Sequence, residues 1–210
     1  NLYVGCAKWN RADLKGFYPR GTKDELEYYS RQFNSIELNA TFYRIFPADV
    51  FAGWYEKTPA DFRFFPKFFQ GVSHWKRLND FEGYLNEYLL NASNLKEKLE
   101  MAFLQTHNNF KPTNMDRLDP FFKAIPKDMR IAVEFRHTDW FNDEAISEEL
   151  YKILEKNDVT NIIVDSAGRR DLLHMRMTTD SAFIRYNGSN HESDYTRLDD
   201  WLDRLEEWVK

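Results

Sequence analysis

What most limits the possible folds of this chain is its regular exchange of short apolar runs with longer amphipathic stretches. The strand-like runs are LYVGCAKW (2–9), SIELNATFY (35–43), RFFPKFF (63–69), EMAFLQT (100–106), RIAVEFRH (130–137), NIIVDSA (161–167) and FIRYNGS (183–189). Helical patterns fill the intervals. They cover 23–33, with Thr22 and Glu25 spaced as a capping box, and 48–58, opened by Pro47. Others cover 79–97, 115–125 with a bend or break at Pro120, 143–157, a short stretch near 169–177, and 195–210. In 143–157 the residues Ile146, Leu150, Ile153 and Leu154 form one apolar stripe. Strands separated by helices cannot pair as hairpins, so the sheet is expected to be parallel.

Two architectures use such a sheet. A doubly wound sheet that binds a dinucleotide carries a glycine-rich turn after its first strand. The segment GCAKWNRADLKG has glycines only at 5 and 16. Seven βα units also exceed the usual size of that fold. The expectation is therefore an α/β fold of the TIM type, a (β/α) barrel with seven units visible and the eighth missing from the chain. Residues 1–210 then read as a single barrel domain that is C-terminally incomplete, since an open barrel leaves two strand edges unpaired.

In a barrel, alternate side chains point inward and reactive groups gather at the C-terminal strand ends. In RIAVEFRH, Ile131, Val133 and Phe135 alternate with Glu134 and Arg136, an acid and a base where a structural strand would be apolar. The other runs repeat the anomaly with Glu37, Asn39 and Thr41, then Lys67, Gln105, Asp165, and Arg185 with Asn187. A buried charge is costly unless paired. Lys67, Arg136 and Arg185 are thus expected among Glu37, Glu134 and Asp165. Such groups can simply pair and fill the interior. An apolar filling is usually at least as stable, which favours a pocket for a polar or anionic small molecule.

Other features narrow the function. The chain has 29 Lys and Arg against 34 Asp and Glu, a net charge of −5, which gives no bulk case for nucleic acid or an anionic membrane. No apolar run approaches the ~20 residues of a membrane span. The one cysteine, Cys6, excludes an internal disulfide, reads as a small core residue, and suits a cytoplasmic setting. His137 could be a general base but more often such a residue caps a loop. His74 and His107 follow strands and would lie on the active face. No HxxxH, HExxH or CxxC spacing occurs, so no metal motif is present. Carboxylates Glu37, Glu134 and Asp165 on separate strands would leave no local motif. Aromatic residues, 17% of the chain, read as core and rim packing.

The runs ELNATFYR (37–44) and VEFRHTDWF (133–141) resemble the domain-of-unknown-function-72 family, the YecE-like proteins. The resemblance extends to YVGCAKW with Gly5 and Trp9, FYP at 17–19, FRFFPKFF with Lys67, SHW with His74, VDSAG with Asp165, and FIRYNG with Arg185 and Gly188. It implies a TIM-barrel-like fold and no particular reaction. The chain departs from the family pattern at Cys6-Ala7-Lys8, at Thr106-His107-Asn108 after Gln105, and at Asn187, where a histidine is frequent. A ligand contact at the first strand end and an acid–base role for that histidine are put in doubt.

The expected function is an enzyme acting on a small polar or anionic metabolite at the C-terminal end of the barrel. Glu37, Lys67, Glu134 and Asp165 are the candidate catalytic groups. Arg136, Arg185, Asn39, Gln105 and His74 are the candidate binding groups. One alternative is a metal-dependent phosphoester hydrolase, with Glu37, Glu134 and Asp165 as ligands and nucleic acid as one substrate class. Another is a non-catalytic ligand-binding barrel. Cofactor and oligomeric state are not assigned by the sequence.

Overall fold

The computed structural model describes residues 1–210 throughout. Its six strands are β1 (Ser35–Leu38), β2 (Arg63–Pro66), β3 (Ala102–Gln105), β4 (Ile131–Glu134), β5 (Val159–Ser166) and β6 (Phe183–Asn187). Its α-helices are α1 (Glu25–Tyr29), α2 (Ala40–Tyr43), α3 (Ala48–Lys57), α4 (Glu82–Ala92), α5 (Leu118–Ala124), α6 (Glu144–Lys156) and α7 (Ser193–Val209). All strand pairs are parallel, as the βα alternation requires.

The expected seven-unit TIM-type barrel does not form. The strands make two ladders, a two-stranded β1–β2 sheet and a four-stranded half-barrel ordered β3–β4–β5–β6. Between them run only isolated bridges, Phe64 to Leu99 and Lys67 to Phe103. Pro66 ends β2, and a proline contributes no N–H to a ladder. The first expected strand, 2–9, is also absent, and side chains account for this. The Val4 N–H donates to the Asn34 side chain at 2.8 Å, and the Cys6 N–H to the Tyr29 hydroxyl at 2.6 Å. That hydroxyl donates in turn to the Ser35 carbonyl at 3.0 Å. Glu37 N–H to Cys6 O, at 3.0 Å, is the ladder-like bond that remains. Gly5 is required here, because a Cβ would stand 2.1 Å from the Ser35 carbonyl oxygen.

Several ends differ from the sequence reading. Asp24, not Thr22, caps α1, accepting from Glu27 N–H at 3.0 Å. The tail of run 35–43 turns into α2, and β4 stops at Glu134, so Asn39 and Arg136 lie just past their strands. The helix expected over 79–97 becomes α4 followed by a 3-10 turn kinked at Lys96, whose φ is 50°. Pro120 sits in the first turn of α5, where it is tolerated, and the break falls before Leu118.

Ile36, Leu38, Phe64, Leu104, Val133 and Val159 point outward into the main core beneath the helices. The opposite strand faces form a smaller cluster of Met101, Phe103, Ala132, Ile162 and Val164, flanked by Phe65 and Phe183. This inner cluster floors the charged groups at the C-terminal strand ends.

Candidate functional site

The inner faces of β1, β3, β4 and β6 bring four charged or amide side chains into one hydrogen-bonded group. Register places them: Gln105 pairs with Glu134, and Val164, an inner residue, pairs with Arg185. Arg185 grips Glu37 with two bonds, Nε to Oε2 at 2.9 Å and Nη2 to Oε1 at 2.8 Å. Its third nitrogen, Nη1, is bonded to Glu134 Oε2. The other Glu134 oxygen accepts from Arg136 at 2.8 Å and from Gln105 Nε2 at 3.0 Å. Gln105 Oε1 accepts from Lys67 Nζ at 2.8 Å. Asn39 Nδ2 donates to Glu37 at 2.7 Å and to Ala7 O at 3.3 Å. One connected chain therefore runs Asn39–Glu37–Arg185–Glu134–Gln105–Lys67, with Arg136 as a branch.

Glu134 is fully buried. Burial raises its carboxyl, but Arg185 and Arg136 outweigh this and hold it below the usual carboxylate range. Burial acts against the Arg185 charge too, and Glu134 and Glu37 more than restore it. Lys67 is the exception. Burial, with the nearby Arg185 charge, lowers its ammonium to about 8. Its Nζ lies 4.2 Å over the Phe42 ring. His74 meets the edge of the same ring at 4.8 Å and the His107 ring at 5.2 Å. Burial and the His107 and Lys67 charges push His74 down to about 4, so its imidazole is neutral at physiological pH. It stands on a π-helical turn, Gly71–Trp75, a distortion often found at functional sites.

A second buried lysine sharpens the meaning of Lys67. Lys98 donates to Tyr55 O at 2.6 Å, Thr58 O at 2.7 Å and Thr58 Oγ1 at 3.2 Å. These three acceptors satisfy its three N–H groups and finish the C-terminus of α3. Lys67 has one acceptor, an amide oxygen, and no carboxylate partner.

Asp165 does not join the group. It pairs in register with Tyr186, one residue out of phase with Val164 and Arg185, and so faces the other side of the sheet. There it binds Arg170, Arg197 and, at 2.8 Å, Trp201 Nε1 of α7. These residues line a separate cleft of about 600 Å³ together with Leu173, Met175 and Arg204. The alternative reading with Glu37, Glu134 and Asp165 as metal ligands is thereby undone, and no three His, Cys, Asp or Glu side chains converge elsewhere. His137 caps the turn Thr138–Trp140, accepting from Asp139 N–H at 3.1 Å. His107 holds its loop through Asn109 N–H at 3.0 Å.

Some contributors carry no sequence signal. Phe42 lies under Lys67 only because the chain turns into α2. Thr106 accepts the Arg136 N–H at 3.2 Å; Thr41, one of the polar residues the run 35–43 did display, donates to Lys67 O at 2.7 Å. Alternation along a strand misjudged Asp165 because it does not reveal which parity faces inward.

The fold and the site define a class: parallel α/β proteins with an ion-paired polar interior at the C-terminal strand ends. The chain belongs to the family "Protein of unknown function DUF72", whose profile matches residues 3–210. It is 28% identical to UPF0759 protein YecE of Escherichia coli (strain K12) over 229 residues, covering 99% of this chain and 82% of that one. It is 31% identical to UPF0759 protein YunF of Bacillus subtilis (strain 168) over 71% of this chain and 55% of that one. A DUF72 family protein from Thermotoga maritima MSB8 superposes with a TM-score of 0.79 at 29% identity, over 99% of this chain and 88% of that chain. For one from Enterococcus faecalis V583 the TM-score is 0.72 at 20% identity, over 91% and 72%, a likeness of fold. No helix is long and apolar enough to cross a membrane.

Proposed function

We propose that the chain is an enzyme that binds a small anionic metabolite against Lys67 and Arg136. The observation that carries this reading is the incomplete pairing of Lys67. Glu37 and Glu134 face three cations, and Arg185 absorbs most of their charge. Arg136 makes a single side-chain bond to Glu134, and Lys67 makes none to any carboxylate. A buried surplus cation is costly in a purely structural network and useful for holding a carboxylate or phosphate. In this reading Gln105 and Asn39 fix the orientation of the acids. The Lys67 amine, with its lowered ammonium, is a better proton acceptor than Glu134, whose charge is fully engaged. His74 lines the Lys67 end as a neutral imidazole.

Native mass spectrometry of the purified protein tests for a retained organic anion. Arg136→Met is expected to abolish binding of that anion while the melting temperature changes little. Unfolding of the variant, or undiminished binding, would return the network to a structural role. Retention of the anion with no turnover would instead leave a binding protein.

A further inference from the structure

The Lys67 side chain is held as a nucleophile would be. Its backbone is fixed on both sides: its N–H donates to Leu38 O at 3.1 Å, and its carbonyl accepts from Thr41 at 2.7 Å. Its Nζ is aimed by one neutral acceptor, Gln105 Oε1. That amide cannot flip freely, because its nitrogen is tied to Glu134 at 3.0 Å. Phe42 covers one side of the amine, and the Arg185 and Arg136 guanidiniums stand nearby on the same network. A buried lysine against an aromatic ring, beside other cations and with no carboxylate bonded to it, is in an environment that favours a free amine, and the more distant Glu134 and Glu37 charges only partly oppose this. The guanidinium charge would at the same time hold an anionic substituent of whatever the amine attacks.

We propose that Lys67 forms a Schiff base with an anionic carbonyl compound, a 2-oxoacid or a phosphorylated aldehyde. This rests on the reading of the interior as an anion site. The amine adds to the carbonyl carbon, and the carbonyl oxygen leaves as water with the two amine hydrogens. The resulting C=N bond, once protonated, draws electrons from the neighbouring carbon, the usual use of such a link. Arg136 receives the carboxylate or phosphate.

The test is reductive trapping. The protein is treated with sodium cyanoborohydride and, separately, pyruvate, oxaloacetate or glycolaldehyde phosphate, and the attachment site is mapped by peptide mass spectrometry. Lys67 is expected to be labelled roughly tenfold or more faster than any surface lysine with at least one probe. The labelling rate should rise as pH approaches about 8, where the free amine becomes abundant. Mapping on the wild-type chain makes the result independent of how variants fold. Label spread evenly over exposed lysines, or absent from Lys67 with every probe, overturns the proposal. Calorimetry of the same probes with Lys67→Arg separates the two readings. Binding without adduct keeps the anion site and removes the Schiff base. Absence of binding to both proteins removes both.

Discussion

Two buried lysines make opposite contributions at the scale of single residues. The folded Lys67 ammonium sits at about 8, below its ordinary 10.5. Between those values the unfolded chain holds the proton and the folded chain does not, so stability rises with pH across that window. Below about 8 both states hold it and the penalty is complete. With each unit worth about 1.4 kcal/mol, the burden at neutral pH approaches ~3 kcal/mol. Lys67→Met is therefore expected to stabilise the fold by roughly 1–3 kcal/mol in urea denaturation at pH 7, while anion binding is lost. Its advantage over the wild type should shrink as pH rises toward 10. Glu134 behaves in the reverse sense. Its folded carboxyl lies below the ordinary 4.5, so the stability it contributes is present above that value and lost as pH falls through the folded one. Glu134→Gln leaves Arg136 without its carboxylate and Arg185 with Glu37 alone, and should destabilise by ~3–5 kcal/mol in the same assay.

Elements were legible where the pattern is local and obscure where a side chain decides. The alternation predicted a parallel α/β chain, and every strand observed falls inside a predicted run except β5, which begins two residues before its run, at Val159. Strand 2–9 failed because Asn34 and Tyr29, distant in sequence, take the N–H groups a ladder would use. The charged interior was largely readable from polar residues at late strand positions. Glu37, Lys67, Gln105, Glu134, Arg136 and Arg185 do meet, whereas Asp165 faces away by a parity that register alone fixes. Lys98 gave no signal, since its role depends on α3 ending beside it. Lys98→Met should leave the Thr58 carbonyl unpaired and the Tyr55 carbonyl with the Thr58 hydroxyl alone, and cost ~1–3 kcal/mol, with anion binding unchanged by calorimetry.

Over the whole molecule, stability is unevenly spread. β4 is wholly buried and β5 nearly so, whereas α7 has no buried residue, with Leu198, Leu202 and Val209 exposed. Hydrogen exchange is expected to run fastest through α7, by local opening, and slowest through β4 and β5. Equal protection of α7 and β5 would contradict this. The barrel expectation missed here for the same reason. Counting βα units presumes that strands long enough to pair will close a ring. Most of these strands are four or five residues long, and Pro66 interrupts the seam.

The Arg185 clasp on Glu37 spans 148 positions, and that on Glu134 spans 51. This sets an order of assembly. During synthesis from the N-terminus, β1 through β5 emerge before the guanidinium that neutralises them. Glu134 meanwhile has Arg136, close in sequence, as its early cation, and Glu37 has only the Asn39 amide. The carboxylate of Glu37 must stay hydrated until β6 arrives, which delays the drying of the inner cluster until nearly the whole described chain is in place. The charged interior is then one of the last parts of the molecule to come into being.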